Sequence, residues 1–252
     1  MLCARSIAVL PLLSCIVLGG EAAAQQPIWS RAASVLDMSC EPAAAKLLSP
    51  DRHITIDVRC DIRNAADSPY LLRVRAGKKQ IAELPIPEGA HEIVWSPDSR
   101  SFFLDGGESA YAGFFVKVYT IEDQAAVREH SVTSLAQRDM VDAFPPCKAA
   151  NHDKDCSRIE GNPEYNMSGL GWSADSKAIF VFAEVPCSSS YGGIMCQVRG
   201  YEIDVASGQI RQRLSALQVK QQWQTMAAWN ISVPDSPEYG VLLEDSRTGK
   251  TQ

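Results

Sequence analysis

The sequence predicts an all-β fold, a β-propeller-like array of four-stranded blades, on two observations that keep the same phase. The first is a recurring corner. Trp95-Ser96-Pro97-Asp98-Ser99 precedes the apolar run Phe102-Phe103-Leu104, and Trp172-Ser173-Ala174-Asp175-Ser176 precedes Ile179-Phe180-Val181-Phe182. The second is a hairpin after the corner. Leu71–Val74 leads to Gln80–Ile86, Phe115–Ile121 to Val127–Val132, and Val198–Val205 to Gln209–Leu214. Each unit therefore reads as about four short strands at a period of roughly 40–50 residues, the signature of propeller blades. The competing architecture is an ordinary antiparallel sandwich with Pro-Asp turns.

The corner has a physical grammar. An apolar strand, Glu92-Ile93-Val94-Trp95, enters a tight turn. Pro97 pre-sets φ at the first turn position, and the Asp98 carboxylate can accept backbone N–H groups just downstream. The following run is aromatic and β-branched, which suits a pleated, half-buried surface. Two weaker copies flank the strong ones. Ser49-Pro50-Asp51 precedes Ile54-Thr55-Ile56-Asp57-Val58, and Trp229 to Asp235 precedes Tyr239-Gly240-Val241-Leu242-Leu243. The Asp positions 51, 98, 175 and 235 are spaced by 47, 77 and 60. Trp95, Trp172 and Trp229 are expected at equivalent buried positions.

Residues 1–24 read as a secretory signal: Arg5, a short apolar core over Ile7–Leu18, and an A-x-A site at Ala22-Ala23-Ala24. Leu12-Leu13-Ser14-Cys15 is the alternative, a lipidated cysteine. The remaining 25–252 read as a single domain, with enough chain for one sizeable core. No later stretch is apolar enough for a spanning helix, so no transmembrane segment is expected. The formal net charge of −6 argues against nucleic acid or an anionic membrane as electrostatic partners.

Two of the eight cysteines, Cys3 and Cys15, lie in the signal. The other six suggest disulfides in an exported chain. Sequence neighbours suggest Cys147–Cys156 and Cys187–Cys196, and leave Cys40 with Cys60. No C-x2-C pair is present, which disfavours a thiolate metal site. The cysteine loops also account for the uneven spacing, as insertions at 137–167 and 186–196. Gln137–Phe144 reads as a short helix stopped by Pro145-Pro146. Residues 217–228 read either as a helical turn or as the approach to Trp229. The last copy is cut short, so a closed ring would need Ile28–Met38 to complete the final blade. An incomplete or open array is the other outcome.

The strong corners resemble the repeat of TolB-type, WD-like periplasmic β-propellers, whose consensus is Ser-Pro-Asp-Gly-Lys before an apolar strand. Ser99 and Ser176 stand where that repeat has Gly. The resemblance implies blades and no particular activity.

No catalytic residue is assigned. The segment Gly171-Trp172-Ser173-Ala174-Asp175 lacks the second Gly of G-x-S-x-G, and H-E-x-x-H, P-loop and G-x-G-x-x-G are missing. His53, His91 and His130 read as surface histidines. Asn151-His152-Asp153-Lys154-Asp155 is the one cluster suggestive of Ca²⁺, but Lys148 and Lys154 and the missing EF-hand spacing oppose it. No cofactor or metal is therefore expected. The function expected is a periplasmic protein-binding or scaffold module whose partner is another envelope protein. Tyr191 and Ile194, at the tip of the second insertion, are the candidate anchors. The alternative is a propeller-based hydrolase or lyase with its site in the central channel.

Overall fold

A computed structural model describes residues 27–39, 46–60, 70–107, 114–144, 165–187 and 194–231. After a short strand β1 (Ser34–Val35), three antiparallel meanders follow one another. The first comprises β2 (Leu47–Leu48), β3 (Ile54–Cys60), β4 (Tyr70–Ala76) and β5 (Lys79–Ile86). The second comprises β6 (Ala90–Trp95), β7 (Ser101–Gly107), β8 (Phe115–Glu122) and β9 (Ala126–His130). Helix α1 (Thr133–Ala143) leads to the third: β10 (Asn166–Trp172), β11 (Ala178–Glu184), β12 (Val198–Asp204) and β13 (Ile210–Ser215). Helix α2 (Ala216–Trp223) follows. The three meanders coincide with the three phased units of the sequence. Of the weak fourth copy, which begins at Trp229, the part from residue 232 onward lies outside the described residues.

Side-chain alternation decides how the sheets meet. In β3, Ile54, Ile56 and Val58 are buried on one face. They join Ile93, Phe102, Leu104 and Tyr119 of the second sheet in one apolar cluster. β7 is buried on both faces, as its continuous apolar run demands. Its other face puts Phe103 into a second cluster with Met167, Ile179, Val181 and Tyr201 of the third sheet. The middle sheet is thus packed between its neighbours.

The two ends of this stack differ. The outer face of the first sheet is polar: Asp57 accepts from Arg73 Nε and Arg75 Nη1, each at 2.7 Å, and Arg59 faces Glu83 at 3.6 Å. The outer face of the third sheet is apolar. Leu170, Phe182, Val198 and Leu214 pack there with Val219 and Trp223 of α2 and with Ala227 and Ile231. A polar face at one end and a covering helix at the other are what a stack of repeats needs to stay soluble. Gly200 lets α2 approach, since a Cβ there would lie 2.5 Å from the Trp223 ring. A capping box at Ser215 and Gln218 starts the helix.

The corner explains its own sequence. In all three copies the first Ser hydroxyl donates to the Asp carboxylate, at 2.6, 2.6 and 2.7 Å. The same hydroxyl accepts the N–H of the residue that opens the next strand (Ile54, Ser101, Ala178). That hydroxyl bond, joined by backbone N–H donors at His53 and Lys177, holds the Asp51 and Asp175 carboxyls below the usual range. Arg52, Ser99 and Ser176 all adopt φ of 61–63°, where Gly is the default. Ser is used instead because its hydroxyl reaches the neighbouring repeat. Ser99 Oγ accepts Asp51 N–H and Ser176 Oγ accepts Asp98 N–H, each at 3.1 Å. Each such latch contributes about 1 kcal/mol. The first corner carries Arg52 at that position.

Several expectations change. Trp95 and Trp172 end equivalent strands, but both are only partly buried. Trp229 lies outside any strand and packs edge-on against Phe182 at 5.1 Å. Within Ile28–Met38, strand β1 pairs with β6 of the second sheet and Ser30 bridges Ala227, just ahead of the fourth copy, whose residues from 232 onward lie outside the described ones. The first insertion contributes to the core. Helix α1 starts earlier than predicted and buries Ala136 and Met140 in the cluster between the second and third sheets. Asp139 anchors α1, accepting Arg199 Nη1 at 2.8 Å, Arg213 Nε at 2.6 Å and Tyr201 Oη at 3.0 Å.

Candidate functional site

Two features could carry function: a buried carboxylate pair under the N-terminal strap, and the end of the stack where the long connections gather.

The strap runs from residue 27 to β1 and lies on the edge of β6 away from β7. Three consecutive backbone N–H groups enter one carboxylate. Ile28 donates to Glu92 Oε2 at 2.8 Å, and Trp29 and Ser30 donate to Oε1 at 3.1 and 2.7 Å. Ser30 Oγ donates to the Leu170 carbonyl of β10 at 3.0 Å, and Arg31 N–H donates to Met226 O at 2.8 Å. Ala228 N–H returns a bond to Trp29 O at 2.9 Å. Trp29 is buried and meets Phe114 edge-on at 5.5 Å. The strap thereby joins the second sheet, the third sheet and the segment after α2.

Asp105 of β7 sits directly opposite Glu92 in the register, so both carboxyls leave the same face. Asp105 is buried. Its Oδ1 accepts Gly169 N–H at 2.8 Å, whereas Oδ2 has no hydrogen-bond partner. Burial pushes the Asp105 carboxyl well above the usual range, and the neighbouring Glu92 charge adds to this. Burial also raises Glu92, against the lowering effect of its three N–H donors.

His91 is a correction to the sequence reading. It is fully buried, tilted against Phe115 at 5.9 Å, with Nε2 2.7 Å from the Pro87 carbonyl. Burial lowers its pKa, so the ring is a neutral core group and not a surface histidine. His130 is half-buried, with Nε2 3.0 Å from Thr120 Oγ1. His53 is exposed beside the first corner, as expected.

The second feature follows from topology. Connections alternate between the two ends of antiparallel strands, and the Ser99 and Ser176 latches set the three corners side by side. At that end no connection exceeds five residues. The opposite end carries the connections 61–69, 108–114, 131–165 and 185–197, with the short link 87–89. Of the first predicted insertion the described part, in α1, packs between the second and third sheets, and the second leaves β11 and re-enters β12 at this end. Cys187 and Cys196 form a disulfide there, with Cα atoms 4.6 Å apart. Cys60, at the same end of β3, is also disulfide-bonded. Its predicted partner Cys40 lies outside the described residues, as do Cys147, Cys156, Tyr191 and the 151–155 cluster. Ile194 is not a free tip: it is half-buried and packs against the cluster between the second and third sheets. Met195 beside it is 37% exposed.

Compared with known protein families, with curated proteins and with solved structures, the chain finds no match. Among the described residues, no group of three or more His, Cys, Asp or Glu side chains could hold a metal ion, and no helix is long and apolar enough to cross a membrane.

Sequence reasoning did not single out Glu92 and Asp105. The signal was present in Phe102-Phe103-Leu104-Asp105-Gly106-Gly107. A carboxylate inside a strand buried on both faces must find a partner or keep its proton.

Proposed function

We propose that the protein is an exported, periplasmic protein-binding or scaffold module, a TolB-type propeller-like array whose binding surface is the end bearing the long connections. One observation carries this reading: the long connections, one of them closed by the Cys187–Cys196 disulfide, leave the strands at one end, while short hydrogen-bonded corners close the other. Rigid scaffolds present recognition loops in this way. A loop held by a disulfide loses less entropy when a partner binds. The Cys187–Cys196 disulfide fits an oxidising compartment, and with the segment 1–24 it supports export. The partner is another envelope protein. A hydrolase or lyase with its site in a central channel would need polar groups open along the first strands. The strap instead covers β6, where Glu92 is engaged by three backbone N–H groups.

The test replaces 188–193 by alternating Gly and Ser, keeping the disulfide and Ile194. Tm should stay within a few degrees of the parent. Envelope proteins captured by the parent under native conditions should be lost from the variant. An unchanged set of partners would remove this loop from the recognition surface.

A further inference from the structure

We infer that the N-terminal strap is a proton-controlled latch: it stays docked while the Glu92–Asp105 pair holds a proton and loosens once both carboxyls ionise. The two side chains share one face of adjacent strands and are enclosed between the second and third sheets and the strap. Glu92 needs its charge, because a carboxylate accepts three N–H groups better than a carboxylic acid does. Asp105 has no such need. Its Oδ1 accepts a single N–H, and its Oδ2 has no partner. The shared proton therefore resides on Asp105.

Among the described residues no cation balances a second charge. On β6, His91 faces the opposite side and is bonded to Pro87 O. On β8, Lys117 is paired with Leu104, so it also points to the other face, 5.9 Å from the Phe115 ring. On β10 there is no charged residue. In the strap, Arg31 Nε donates to Ala227 O at 2.7 Å. On α1, Asp139 is held by Arg199 and Arg213. Two adjacent buried charges without a cation are strongly disfavoured. The cheapest relief is to admit water by lifting the strap, which is held on Glu92 by three backbone N–H groups. Both groups titrate higher in the folded protein than in an unfolded chain. Their contribution is complete at acidic pH and is lost as pH rises through the folded-state value. Opening is thus promoted by alkali.

Hydrogen exchange by mass spectrometry on the full mature protein reads this directly. Protection factors, already corrected for intrinsic exchange, are followed for a peptide spanning 27–36, with a β11 peptide as reference. Between about pH 6 and about pH 9 the strap peptide should lose protection, by up to about tenfold per unit as pH rises toward the titration of the docked pair, and should level off above it. The β11 peptide should not change. Asp105→Asn keeps the Oδ1 acceptor for Gly169 and removes the ionisable group, so its strap protection should be flat with pH. Flat protection in the parent overturns the inference, and so does an equal pH slope in Asp105→Asn. If Asp105→Asn does not fold, the parent's strap-versus-β11 comparison still decides, since parallel loss in both peptides would mean global unfolding and not a latch.

Discussion

Glu92→Ala is expected to destabilise the protein by about 3–5 kcal/mol, because it leaves buried donors without an acceptor. Ile28, Trp29 and Ser30 all donate to this carboxylate. Without it the strap must either bury three unpaired N–H groups, at about 1–3 kcal/mol each, or leave the β6 edge. Leaving exposes Trp29, which is 6% exposed in the docked state. It also breaks the bonds to Leu170, Met226 and Ala228. The cost is therefore capped by the free energy of docking the strap. Glu92→Gln should fall between, since its amide keeps one acceptor oxygen and turns a donor toward the remaining N–H. Urea unfolding near neutral pH checks both variants. A loss under about 1 kcal/mol for Glu92→Ala would mean that the strap contributes little.

Phe103→Ala is expected to cost about 3–5 kcal/mol, the range for removing a buried aromatic ring that leaves a cavity. Phe103 is fully buried where the second and third sheets meet. Its ring stacks on Trp172 at 5.8 Å and fills the space over Gly169, where a Cβ would lie 2.6 Å from it. The site cannot readily collapse. Trp172 is held by its Nε1–H bond to Val94 O at 3.1 Å, and Gly169 N–H is fixed on Asp105. Thermal and chemical unfolding should show the full loss, with a single transition if the three sheets unfold together. Two transitions, one unchanged from the parent, would show that the sheets fold independently.

Much of the strand order was legible because each unit repeats a strong local pattern. Alternation in Ile54-Thr55-Ile56-Asp57-Val58 and the both-face run after Ser101 assign strands and burial together. The Ser-x-Asp corner is a local hydrogen-bond device, so it survives without the Trp at residues 49–53. The helix that opens the first insertion was half legible. Val132 at its N-cap makes no side-chain bond, so nothing in the sequence marks the start. The strap was not legible. Its strand is two residues long, too short for alternation to register, and its position is set by Glu92, far away in sequence. Ile194 misled for a related reason: Ser and Gly neighbours signal an exposed tip, while the disulfide draws Ile194 back onto the sheets. His91 could have been placed, since it shares a strand face with Ile93 and Trp95.

The assignment of the binding surface to one end of the stack is tested most directly by site-specific photo-crosslinking in the envelope. A benzophenone side chain is placed at Met195, exposed at the long-connection end, or at Arg100, exposed at the latched corners. Adducts of the same mass should form from position 195 and not from position 100. Adducts from position 100 alone, or equal capture from both, would contradict the assignment.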